Sequence, residues 1–304
     1  MGRIAMKVWC QWSDIAIPQG WKLISTPLED LTDSDLADID VYIPPYMSGS
    51  KGAHYITRMP RLSVVQLLMA GFDDALPMMR NGVTLCNARG VHDYSTAELA
   101  IAFMLAHFRH FSESSENQRA QTWNHQRTGS LAEKRIGIVG AGSIATTLKT
   151  LLAPFPVEIE LFGRTQRDEV YAISSLMQRL PALDVVVLLV PLTEQTRGLI
   201  GADELSAMKT GSLLINVARG PIVDSAALIA ELKKNRICAA LDVTDPEPLP
   251  SDSPLWSLKN CQITPHIGGD STSFEPRGRK LIEEQLQRIA EGQPLLNIID
   301  WSSR

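Results

Sequence analysis

The chain has 304 residues, long enough for two domains. Apolar residues make up 44% and charged residues 21%, the profile of an ordinary globular protein. The net charge of −5, with no long block of one sign, argues against the basic face that nucleic-acid binding needs.

No run approaches the roughly 20 apolar residues of a membrane span. The opening "MGRIAMKVWCQWSD" lacks the apolar core of a signal peptide. Cys10, Cys86, Cys238 and Cys261 are scattered and form no CxxC pair. They fit reduced thiols in a cytoplasmic protein better than a disulfide frame or a metal site.

The first ninety residues alternate short apolar runs, "IAMKVWC", "DVYIPP", "LSVVQLLMAG" and "GVTLCN", with short helix-compatible stretches. This reads as a small α/β unit. "STAELAIAFMLAHFRHFSESSENQRA" predicts one long helix, with Ser95 or Thr96 as N-cap and Leu99, Ala102, Phe103, Ala106 and His110 at helical spacing. "TWNHQRTGS" is polar, ends in Gly-Ser and predicts a loop. From residue 135 the apolar runs "RIGIVG", "VEIELF", "DVVVLLVP", "GSLLINVA", "ICAALDV" and "CQITPHI" are continuous, as suits parallel strands buried on both faces. Helical patterns lie in "SIATTLKTLLAPF", "GADELSAMKT" and "SAALIAELKKN". A last helix near "EPRGRKLIEEQLQRIAEG" follows the final strand and is expected to pack back on the first domain. Cuts near 93 and 270 give a discontinuous outer domain, 1–92 and 270–304, and an inserted inner domain, 93–269.

"GIVGAGSIA", residues 137–145, follows a strand and precedes a helix. Gly140 permits a tight turn, Gly142 lets the backbone approach a diphosphate, and Ala145 stands where a third glycine would pack helix on strand. The helix N-terminus offers unpaired N–H groups and partial positive charge to the phosphates. Alone, the motif reads equally as a tight turn without a ligand; the strand before it and the helix and strand after it favour a dinucleotide. Eighteen residues beyond Ala145, where a carboxylate usually holds ribose hydroxyls, stands Gly163 in "LFGRTQRDE". The missing side chain leaves room and removes repulsion toward a phosphate. Arg164 supplies a fork of donors, Thr165 a hydroxyl and Arg167 further positive charge. These residues fit the 2′-phosphate of NADP(H), with NAD(H) as the alternative; the other reading is that the arginines merely solvate a loop.

"INVARGPIVD", "ALDVTDPEPLP" and "ITPHIGGD" each end a strand, where open α/β sheets place ligands. They supply Arg219, Glu247 and His266. Reduction of a 2-keto acid needs a cation for the carboxylate and ketone, an acid for the emerging alkoxide, and a partner that orients the acid. Arg219 suits the first task, His266 the second and Glu247 the third. Singly they read as a strand-end arginine, a solvated loop acid and a satisfied core histidine. Their joint appearance at successive strand ends after a nucleotide loop favours the chemical reading.

These segments, with "VPLTEQTRGLI" at 190–200, make the chain similar to the D-isomer-specific 2-hydroxyacid dehydrogenase family over most of its length. The resemblance implies two Rossmann-like domains, a parallel-sheet NAD(P)-binding domain inserted into a flavodoxin-like substrate-binding domain, with the active site in the cleft between them. It implies catalytic Arg219, Glu247 and His266. It also implies that Asp242 and the Ala218 carbonyl hold the nicotinamide carboxamide, that Val190 and Pro191 line the adenosine side, and that the Ser143 and Ile144 amides meet phosphate. In "LLMAGFDD" the N–H groups of Ala70 and Gly71 resemble the family's substrate-carboxylate nest, against the alternative of a plain strand-to-helix turn. Thr96 matches a position near nicotinamide and substrate.

The absent ribose carboxylate departs from the NAD-using majority of the family. The short length, with nothing like a regulatory domain after residue 304, and the "GRTQR" turn resemble the glyoxylate/hydroxypyruvate reductase branch. The expected reaction is NADP(H)-preferring reduction of a small 2-keto acid to the D-2-hydroxy acid. Hinge motion is expected near 93 and 270. Family resemblance further implies a homodimer built through the inner domain and the arm at 111–130. Two rivals are a phosphite or other non-keto-acid dehydrogenase of the same fold, and a cofactor-sensing protein resembling transcriptional corepressors. Glu247, where the formate enzymes of this fold carry Gln, counts against a formate enzyme; the apolar residues around the 67–71 loop supply no lysine for a phosphite oxyanion; and the complete triad counts against the corepressor-like reading.

Overall fold

A computed structural model describes residues 5–301 of the chain. The chain divides into two compact units, Met1–His92 with Thr272–Arg304, and Asp93–Ser271. The second is thus inserted into the first.

The first unit holds strands β1 (Lys7–Trp9), β2 (Lys22–Ile24), β3 (Val41–Tyr42), β4 (Val64–Gln66) and β5 (Thr84–Cys86), with short helices α1 (Asp33–Ala37) and α2 (Gly49–Ala53). All five strands are parallel, in the order β2-β1-β3-β4-β5. This is the flavodoxin-like arrangement. Val8, Val41 and Ile43 pack with Ile282 and Leu286 of the C-terminal helix Phe274–Glu291. That helix buries one face at Phe274, Gly278, Ile282, Gln285 and Leu286, and stops at Gly292, whose φ of 65° suits a residue without Cβ.

The second unit holds α3 (Asp93–Phe108), α4 (Phe111–Arg119), β6 (Arg135–Val139), α5 (Ser143–Leu152), β7 (Glu158–Gly163), β8 (Val170–Ala172), α6 (Leu176–Arg179), β9 (Val185–Leu188), α7 (Ala202–Ala207), β10 (Leu213–Asn216), α8 (Ser225–Lys233), β11 (Cys238–Leu241) and β12 (Cys261–Ile263). Its parallel sheet runs β12-β11-β10-β9-β6-β7-β8. This is the doubly wound order, extended by one strand, and it reverses direction between β6 and β9. Every residue of β9 and β10 is buried. Each such Val, Leu or Ile contributes about 1.5–3 kcal/mol by leaving water. Ala145, Leu148 and Leu152 of α5 bury one stripe against Ile136 and Ile138 of β6.

Two expectations are corrected. The long helix is two, because His110 takes a left-handed φ of 53° between α3 and α4. The start of α3 is Asp93, so Ser95 and Thr96 sit inside the first turn rather than at the N-cap. Their hydroxyls are used sideways, Ser95 Oγ on Ser271 Oγ at 2.7 Å and Thr96 Oγ1 donating to the Gly268 carbonyl at 3.2 Å. Strands β2 and β8 escaped the sequence reading because each is a three-residue sheet edge with at most one buried residue.

Among the described residues no helix is long and apolar enough to cross a membrane, and no group of three or more His, Cys, Asp or Glu side chains is placed to hold a metal ion.

Candidate active site

The ends of β10, β11 and β12, three neighbouring parallel strands, feed loops that carry Arg219, Glu247 and His266. His266 Nδ1 lies 2.6 Å from Glu247 Oε1. That hydrogen bond is the chief reason the Glu247 carboxyl lies below its usual range. Partial burial opposes it, while the His266 charge, a Thr244 backbone hydrogen bond and the Arg219 charge reinforce it. An ionised Glu247 can only accept, so Nδ1 carries the proton and donates, leaving Nε2 as the ring atom for proton exchange. Arg219 therefore acts electrostatically on the same carboxylate that orients His266. The structure pairs Glu247 with His266 and places Arg219 on the neighbouring strand-end loop, within electrostatic reach of Glu247.

Arg219 has extended backbone (φ −146°, ψ 141°), and its Nη1 donates to the Ala218 carbonyl at 2.8 Å. The next residue, Gly220, is pressed on the loop of Glu247: a Cβ there would lie 1.9 Å from the Thr244 carbonyl oxygen. Only glycine permits this approach. His266 itself has a φ of 54°, rare for a residue with a side chain.

The glycine loop follows β6 at the reversal of strand order. Gly140 has a φ of 123°, and a Cβ on it would meet the Leu189 carbonyl at 2.6 Å. Gly142 caps α5 without any side-chain bond, and the first turn of α5 carries no acidic residue. The N–H groups at Ser143 and Ile144 are thus free of a competing carboxylate. By contrast, Asp224 caps α8 and Glu204 closes the first turn of α7. The loop fits an anion of the diphosphate kind. Ala145 is 1% exposed and packs in the core between helix and sheet.

After β7, Arg164 and Thr165 are exposed. Arg167 Nη2 donates to the Ala141 carbonyl at 3.1 Å, drawing its charge on to the glycine loop. The reason for glycine at 163 is steric. A Cβ would stand 2.9 Å from Val170 Cγ1 and 3.6 Å from the Ala141 methyl, so β8 leaves no room for a side chain at 163.

Val190 and Pro191 follow β9, Val190 half-buried and Pro191 exposed, with the Pro191 carbonyl accepting Thr196 Oγ1 at 2.6 Å. Asp242 is 3% exposed and follows β11. Its Oδ1 accepts Thr264 Oγ1 at 2.6 Å and the Ile267 N–H at 2.8 Å, and its Oδ2 accepts the Gly268 N–H at 2.8 Å. In the first unit, Ala70 ends a bend beyond β4 and Gly71 follows it, and the Ala70 carbonyl accepts Asn87 Nδ2 at 2.7 Å. The sequence reading did not single out Asn216, 1% exposed at the end of β10. Its Nδ2 donates to the Arg219 carbonyl at 2.9 Å, and its Oδ1 accepts the Ala218 N–H at 3.1 Å. The available signal was a lone amide closing the apolar run "LLIN".

Residues 101–268 match the family model for the D-isomer specific 2-hydroxyacid dehydrogenase, NAD binding domain. The chain is 32% identical over 262 residues to a glyoxylate reductase of Aeropyrum pernix, covering 81% of this chain and 78% of the relative. A D-isomer specific 2-hydroxyacid dehydrogenase from Xanthobacter autotrophicus, solved in complex with NADPH and MES, is 28% identical, with a TM-score of 0.80 over 98% of this chain and 99% of that one. A family protein from Aeromonas salmonicida is 25% identical, with a TM-score of 0.86 over 99% and 100% of the two chains. With two Rossmann-like units, a family-model match over more than half of the chain and a relative 32% identical over 81% of it, the chain belongs to the D-isomer specific 2-hydroxyacid dehydrogenase family.

Proposed function

We propose that this protein is an NADP(H)-preferring reductase of a small 2-keto acid, of the glyoxylate or hydroxypyruvate kind, that forms the D-2-hydroxy acid. The observation that carries this reading is the 2.6 Å His266–Glu247 pair under the influence of Arg219, at strand ends beside a glycine loop that fits a diphosphate. The chemistry supplied by the reduced cofactor when bound is hydride donation to the keto carbon. Arg219 holds the carboxylate and polarises the ketone. Glu247 keeps Nδ1 protonated and fixes the orientation of the ring. His266 Nε2–H then gives its proton to the alkoxide oxygen, and the neutral ring is reprotonated from water. The Ala70 and Gly71 N–H groups bind the substrate carboxylate. Thr96 stands near nicotinamide and substrate, fastened to the Gly268 carbonyl of the histidine loop.

The Ser143 and Ile144 amides bind the diphosphate. Val190 and Pro191 border adenosine, while Ala218 O and Asp242 Oδ2 accept from the carboxamide. Arg164, Thr165 and Arg167 hold the 2′-phosphate, a choice supported by the neighbour seen with NADPH and by the absence of an acid at 163. Assembly as a homodimer through the inner domain and the arm at 111–130 is supported by Trp123, 96% exposed, and Phe111, 58% exposed.

The test is a rate panel of glyoxylate, hydroxypyruvate, pyruvate and phosphite with NADPH, NADH and, for phosphite, the oxidised cofactors. Turnover of a keto acid with a higher kcat/KM for NADPH supports the proposal. Turnover of phosphite alone, or of nothing, overturns it.

A further inference from the structure

The backbone N–H groups of three consecutive residues, His266, Ile267 and Gly268, all converge on Asp242, the first on its carbonyl at 2.8 Å and the next two on its carboxylate at 2.8 Å each. Such a run, containing a left-handed residue at 266, is an anion nest, and here the anion is a side chain of the same unit. Thr264 Oγ1 adds a fourth donor at 2.6 Å. A Cβ on Gly268 would stand 2.8 Å from Asp242 Oδ2, so the nest closes tightly on the carboxylate.

One strand over, Asn216 does the same for the other loop. Its carboxamide takes the Ala218 N–H and gives to the Arg219 carbonyl, bracketing the peptide that presents Arg219. The two devices are joined, because the Asp242 N–H donates to the Asn216 carbonyl at 2.9 Å. Both side chains are at least 97% buried by their exposures of 1% and 3%. Burying such groups is unfavourable unless each polar atom is paired. Here the pairing is spent entirely on two catalytic loops.

We propose that Asn216 and Asp242 are a pair of positioning residues, buried at the ends of adjacent strands, that fix the loops presenting Arg219 and His266. Asp242 holds His266 in its left-handed conformation, the one in which Nδ1 meets Glu247. Asn216 sets the Arg219 peptide against the Glu247 loop, where Gly220 touches Thr244. This rests on the function proposed above and deepens it. It also gives Asp242 a task separate from the nicotinamide carboxamide, since its three side-chain bonds are made within the protein.

The test uses near-isosteric variants of the full chain, Asp242→Asn and Asn216→Asp, each alone and combined with His266→Ala or Arg219→Ala respectively. Each single positioning variant should lower kcat/KM for the accepted keto acid about 100-fold, the cost of a misplaced catalytic group. In the matching double variant the second change should add almost nothing, because the residue acts through its partner. Thr264→Val keeps the carboxylate and removes one donor, and should lose about 10-fold in the same way, which serves if Asp242→Asn does not fold. An arm independent of turnover is the carboxyl titration of Glu247 by carbon NMR in cofactor-free protein. Asp242→Asn or Thr264→Val should move it up toward the usual range, because the His266 bond is loosened. Losses that multiply fully in the double variants, or a Glu247 titration equal to the parent's, would overturn the proposal. A parent protein that reduces no keto acid would sink the proposed function and leave the NMR arm to decide this one.

Discussion

His266 Nδ1 and Glu247 Oε1 are 2.6 Å apart although 19 positions separate them in the chain and each stands on its own loop. The parallel sheet makes this meeting, because β11 and β12 are neighbours and both loops leave the same end. Neither residue is deeply buried: the side chains are 27% and 41% exposed. The pair can therefore take protons from solvent and still keep a fixed partner.

The pH behaviour of the pair follows from the lowered Glu247 pKa, caused first by the His266 hydrogen bond. A carboxyl depressed by folding contributes stability above its unfolded value and loses it as pH falls through the folded value. Glu247→Gln should therefore be less stable than the parent at neutral pH by at most about 1 kcal/mol, since the pair is solvent-screened. The gap should close below the usual carboxylate range, near pH 4 or lower. Urea unfolding of both proteins from pH 7 to pH 3 checks this; a gap that widens toward acid would reverse the sign of the interaction.

Arg164→Ala should weaken NADPH binding by tenfold or more, on the order of one lost charge-assisted phosphate contact, with little effect on NADH. Arg167→Ala should weaken both cofactors, because Arg167 is docked on the glycine loop through the Ala141 carbonyl. Fluorescence titration with both reduced cofactors distinguishes the two arginines. Equal losses of NADPH and NADH in Arg164→Ala would show that it does not touch the 2′-phosphate.

Two glycines should respond in opposite ways. Gly220→Ala places a Cβ 1.9 Å from the Thr244 backbone oxygen and should destabilise by about 3 kcal/mol, at the upper end for overpacking. Gly142 has open space around a built Cβ and an extended φ of −92°. Gly142→Ala should leave thermal stability nearly unchanged while weakening the dinucleotide, whose diphosphate must approach that backbone. Calorimetry and cofactor titration on both variants give the answer.

Burial pushes the thiol of Cys10 up to about 11 and those of Cys86 and Cys261 up to about 12. Cys238 is also raised by burial. The folded protein should react only slowly with a thiol-disulfide reagent at pH 8, and four thiols should appear on unfolding. Rapid native reaction of any one would contradict this burial.

Much of the inner sheet was legible because β9 and β10 are buried on both faces and so read as unbroken apolar runs. The same logic hides β2 and β8, three-residue edges without such a run. The break at His110 was illegible because helical spacing continues across it, and only its left-handed backbone shows that the helix ends. Arg219, Glu247 and His266 were legible as residue types at strand ends. The holding of their loops was not, because Asn216 and Asp242 work on backbone N–H and carbonyl groups, and no spacing in the sequence records where those point. Gly163 also answers to packing, because a Cβ there would press on Val170 of β8, a contact that no spacing in the sequence records.

In the proposed reaction His266 donates the proton, while cofactor binding depends on other residues. The most direct measurement of this is the rate of NADPH oxidation by keto acid in His266→Ala, beside the parent, with the NADPH dissociation constant of each. The kcat of His266→Ala should fall by about 10²- to 10⁴-fold, the worth of a positioned general acid, with the dissociation constant nearly unchanged. Turnover equal to the parent's would contradict it and place the proton donor elsewhere.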